Sequence, residues 1–121
     1  LEFRRVLFRS TDAHRVANYN PFIALRWMLD GKSASGTSLR GPEETPNRLQ
    51  SLRMYTSGSA WLAHDDAMRG SLEVGKWADL AVLTKDYFSI PVHEIDQIHS
   101  LLTMVGGKVV HAESSFSKFK K

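Results

Sequence analysis

Cysteine is absent from all 121 residues, which excludes a zinc ribbon, an iron–sulfur cluster, a thiol nucleophile and any disulfide framework. The absence is silent on compartment, because a chain without Cys tolerates oxidising and reducing surroundings alike. Long apolar runs are missing too. No stretch approaches the ~18 apolar residues of a membrane-spanning helix, so no membrane partner is expected. The five histidines, His14, His64, His93, His99 and His111, never stand two or four residues apart. No zinc motif of the usual local spacing can therefore be built from them. What is present is ordinary: 42% hydrophobic and 24% charged residues, close to globular averages and unlike a disordered or collagenous chain.

The formal charge of +3 invites a nucleic-acid reading until its location is asked. Residues 1–10 carry Arg4, Arg5 and Arg9 against Glu2, and residues 113–121 carry Lys118, Lys120 and Lys121 against Glu113. Between them, residues 11–112 hold ten basic and eleven acidic residues. The bulk of the chain is near neutral, and no nucleic-acid partner is expected.

The first ten residues, LEFRRVLFRS, resemble the translation of one frame of a sequencing-library adapter, matched across all ten codons. Segment 1–10 is read as non-native, with a genuine amphipathic terminal strand or helix as the alternative. On that reading the protein's own sequence is expected to begin at or near Thr11, inside a longer protein.

From Thr11 a polar loop runs to Asn20. Asn20-Pro21 then supplies an N-cap and a first-turn proline, and Phe22, Ile23, Leu25, Trp27, Met28 and Leu29 follow before Gly31, predicting a largely buried helix of about ten residues. Residues 31–44 read as a Gly/Ser-rich loop. Thr45-Pro46 predicts a second helix by the same logic, with Leu49, Leu52 and Tyr55 on one face. Ser59 is expected to cap a short third helix carrying Trp61 and Leu62, and Gly70 to end the helical half. Beyond it the pattern turns extended. Strands are predicted at 71–74 and 78–83, the latter (ADLAVL) too apolar for one face to lie fully in water. Gly75-Lys76 makes the turn between them, and one helical turn is expected at 92–95. Strands over 98–105 and 108–112 flank Gly106-Gly107, a two-residue hairpin signal. The tail after Ala112 has too little apolar surface to fold.

The stretch RGSLEVGKWADLAVL, 69–83, resembles the pattern by which amidohydrolase-superfamily enzymes return from their barrel to a small β-sandwich: Gly70, Leu72, Gly75, Ala78, Asp79 and Leu80 match. VGGKVV at 105–110 resembles the closing strand pair. TDAHRVANYNPFIALRWMLDGKSASG and LRMYTSGSAWL resemble the amidohydrolase family 3 (YtcJ-like) branch.

The resemblance covers residues 11–112. It implies an α/β architecture: the terminal, helical part of a (β/α)8 TIM barrel over 11–70, followed over 71–112 by C-terminal strands of a β-sandwich, with 113–121 as a disordered tail. It also implies a metal-dependent hydrolase of carbon–nitrogen bonds acting on a small molecule, with a divalent metal, taken as zinc, in the full-length protein. Asp12 falls where the family places an Asp that is both metal ligand and general base. His14, Arg15 and Asn18 share its loop and are substrate-binding candidates. Asp79 is expected to accept hydrogen bonds at a strand start.

The departures are also informative. Ser10 stands where the family usually has Gly, and the family's other ligands, a His-x-His, a bridging Lys or acid and two further His, all precede this point. The chain alone is therefore expected to hold no metal tightly and to be inactive. The alternative is a non-catalytic small α/β binding module.

Overall fold

The computed structural model describes residues 18–33 and 35–119. It is a small α/β arrangement of short helices and a three-stranded antiparallel sheet. The expected helix at 21–30 forms as α1, Pro21–Asp30. The Asn20 side chain accepts from the Phe22 amide at 3.0 Å, Pro21 occupies the first turn, and Gly31 closes the helix at φ 61°, donating its N–H to the Trp27 carbonyl. A left-handed residue at that position is least strained as glycine. The helix is less enclosed than expected. Leu25 and Met28 are buried, Trp27 is half-buried beneath the Arg40 guanidinium, and Ile23 faces out.

The second helix, α2, spans Arg48–Tyr55 and so starts later than Thr45-Pro46 suggested. Asn47 takes the cap: its side chain accepts from the Gln50 amide, and the Gln50 side chain accepts from the Asn47 amide, both at 2.9 Å. Two terminal donors are satisfied reciprocally, which a lone threonine cap cannot match. The Thr45 hydroxyl instead donates to the Gly41 carbonyl. Leu52 and Tyr55 pack against the core, whereas Leu49 is exposed. The third helix, α3, is Ser57–Leu62. Ser59 lies inside it and donates to the Met54 carbonyl rather than capping it, and Trp61 and Leu62 point outward.

The predicted strand at 71–74 does not form. The Ser71 hydroxyl donates to Glu73 Oε1, Lys76 Nζ donates to the Ser71 hydroxyl at 2.8 Å, and the Lys76 amide donates to the Glu73 carbonyl. These short-range bonds draw the segment into a turn, as Ser and its polar neighbours do when no partner strand competes. Leu72 and Val74 are left exposed.

The sheet runs in the order β1 (Leu80–Leu83), β2 (Ser100–Val105), β3 (Lys108–Ala112). In the β2–β3 hairpin Val105 faces Lys108 across Gly106 and Gly107, at φ 55° and 77°. Two consecutive positive φ values are what a tight primed turn requires. Leu80, Val82, Leu102, Met104, Val109 and Ala112 are paired across the strands on one face and are buried or half-buried. Ala81, Thr103 and His111 lie on the other. Ala81 is exposed, so β1 presents an outer face to water after all, at the modest cost of one methyl. Ser114–Phe119, expected to lack structure, makes a short 3-10 helix against β2 and β3 with Phe116 half-buried.

The core draws on both sides of residue 70. Leu25 of α1 joins Tyr87, Ile95 and Ile98 from the β1–β2 connection, with Phe22, Leu29, Leu52, Tyr55, Leu83, Ile90 and Val92 packed around them. Ile95 sits in a 3-10 helix, Val92–Gln97, that lies against α1. Arg48 ties the two parts together: its guanidinium donates to the carbonyls of Tyr87 and Ile90, and the Tyr87 hydroxyl donates back to the Arg48 carbonyl at 3.2 Å. Burial pushes the Tyr87 hydroxyl above its ordinary pKa against the opposing pull of Arg48, so it stays a neutral donor. Replacing Arg48 with Ala strands two carbonyls in a half-buried position. Arg48→Ala is expected to lose about 2 kcal/mol of stability in urea denaturation, with Arg48→Lys recovering part of it. An Arg48→Ala chain as stable as the parent chain would show the contact to be dispensable.

Candidate functional site

Of the four site residues read from the sequence, Asp12, His14 and Arg15 lie outside the described residues. Asn18 is described and exposed, and its Oδ1 accepts from the Asn20 amide at 2.8 Å. Asn20 in turn caps α1. The two asparagines thus form successive side-chain-to-backbone turns that lead into α1. The Asn18 carbonyl oxygen is engaged in that turn.

A metal needs several donors converging within bonding distance. Among the described residues no group of three or more His, Asp or Glu side chains comes together to hold one. His64, His93, His99 and His111 are all exposed and dispersed, as expected for surface and hairpin residues. His64 follows α3 at φ 58°, and His111 Nε2 lies 2.9 Å from Glu113 Oε1 and 3.0 Å from the Ser100 carbonyl. The described residues form no metal centre of their own.

The described part has a cleft of about 440 Å³ between α1, α2 and the loop after β1, lined by Phe22, Leu25, Leu52, Leu83, Lys85, Asp86, Tyr87 and Phe88. Its walls are apolar, and its two charged residues serve the fold. Lys85 Nζ donates to Glu94 Oε2 at 2.7 Å, and that contact holds the Glu94 carboxyl below its ordinary pKa. Asp86 Oδ1 accepts from the Phe88 amide at 2.9 Å.

Asp79 fulfils its expected structural part. Its Oδ1 accepts from the Gly106 amide at 2.6 Å, while the Gly107 amide donates to the Ala78 carbonyl at 3.1 Å. The carboxylate at the entrance to β1 thereby pins the hairpin turn 27 residues away. Asp79→Ala is expected to cost about 1 kcal/mol, at the lower end for a charged acceptor because the contact is exposed. Asp79→Asn, which keeps an acceptor oxygen, should cost less, and equal denaturation midpoints for all three chains would rule the clamp out.

The structure also shows polar residues that sequence reading missed. Arg26 pairs with Asp96 and Asp30, and Arg40 donates to the Trp27 and Met28 carbonyls at the end of α1. The Arg26–Asp30 pair is an i,i+4 contact that helix spacing could have announced, whereas Asp96 and the Arg40 contacts are set by tertiary folding and loop closure, so no local pattern announces them.

No solved structure matches the chain. Among curated proteins it is 30% identical over 94 residues to the N-substituted formamide deformylase of Arthrobacter pascens, a match covering 78% of this chain and 17% of that protein. It is 29% identical over 65 residues to the YtcJ protein of Bacillus subtilis (strain 168), covering 54% of this chain and 12% of that protein. The chain thus spans less than a fifth of the length of either relative. The profile of the Amidohydrolase family matches residues 6–111, starting five residues before Thr11 and running through β1, β2 and most of β3. With nearly the whole sequence inside that match, this chain belongs to the amidohydrolase family.

Proposed function

We propose that the chain is the C-terminal part of a metal-dependent hydrolase that cleaves a carbon–nitrogen bond, amide or N-acyl, of a small molecule. The family match across residues 6–111 carries this reading, and the deformylase relative supports an N-acyl substrate. In this proposal residues 1–10 are adapter-derived, 11–70 close a (β/α)8 barrel, and 71–112 supply strands to a β-sandwich. Asp12 is the metal ligand and general base, and His14, Arg15 and Asn18 face the substrate. Zinc would supply an activated water at such a site, with its remaining ligands contributed from outside these 121 residues.

The test compares the full-length protein with this chain. Amine release from N-substituted formamides and simple N-acyl amines is expected from the full-length protein and not from the 121-residue chain. The chain is also expected to lose zinc on mild chelation, since one carboxylate cannot hold the ion against water. Turnover by the chain alone, or stoichiometric zinc surviving chelation, would overturn the proposal that the remaining ligands lie outside it. A full-length protein inactive on every amide offered would overturn the hydrolase reading.

A further inference from the structure

No further inference is drawn: the strongest candidate, the apolar cleft between α1, α2 and the loop after β1, opens Phe22, Leu52 and Phe88 to one side, and nothing in the structure shows what covers it.

Discussion

Ile95→Ala is expected to lower the unfolding free energy by about 3 kcal/mol, within the range for deleting a buried branched side chain that its neighbours cannot replace. Ile95 is completely buried, and Leu25, Tyr87 and Ile98 close around it. Ile95→Val, which removes one methylene, should cost about 1 kcal/mol. Val110→Ala, at a position 56% exposed, should stay within about 0.5 kcal/mol of the parent chain. The informative feature is where the loss is felt. Leu25 belongs to α1 and Ile95 to the connection between β1 and β2, so the cavity lies at a junction of the helical and extended parts. Tryptophan fluorescence, to which Trp27 and Trp61 contribute from the helical side and Trp77 from the segment before β1, and amide exchange in β2 should report the same shift. If amide exchange in β2 moved while the fluorescence midpoint held, the two parts would have separate cores.

That shared core marks the limit of what the sequence shows. Short-range signals were legible. Asn20-Pro21 and Gly31 bracket α1 at the expected residues, and Gly106-Gly107 places the hairpin, because caps and tight turns are decided by bonds and dihedrals within a few positions. The failures came where one local device competed with another. At α2 the reciprocal Asn47–Gln50 pair outdid the Thr45-Pro46 signal. At 71–74 the Ser71–Glu73–Lys76 contacts replaced a strand that alternation alone suggested. A period-2 pattern names a strand only if a neighbour supplies the ladder. The packing of Tyr87 and Ile95 on α1 and α2, and Arg48's reach across 39 and 42 residues, depend on tertiary folding and left no periodic trace.

The candidate site was legible in a different way. Nothing in the composition or spacing distinguishes Asp12 from a capping residue in a polar stretch; the role proposed for it rests entirely on family resemblance. Asp12 itself lies outside the described residues, which start at Asn18 with the Asn18 and Asn20 turns that enter α1. Asp79 shows the contrast. It belongs to the same resemblance, yet its contact with the Gly106 amide gives it a physical account independent of any family.

Asp12 therefore calls for the decisive measurement, made in the full-length protein. If its carboxylate accepts the proton of the attacking water and passes it to the departing amine, Asp12→Asn removes both transfers while preserving shape. The expected loss in kcat is about 10²–10⁴-fold, the usual contribution of a positioned acid–base group, with KM little changed. Metal content separates the two proposed roles. An inactive Asp12→Asn protein that keeps its zinc assigns proton transfer to Asp12, whereas loss of zinc together with activity assigns ligation. Asp12→Glu, which retains the charge but displaces it, should fall between wild type and Asn. An Asp12→Ala enzyme that kept its zinc and turned over within about threefold of wild type, well short of the smallest loss expected of an acid–base group, would remove Asp12 from the chemistry. The only site residue this chain is proposed to contribute to catalysis would go with it.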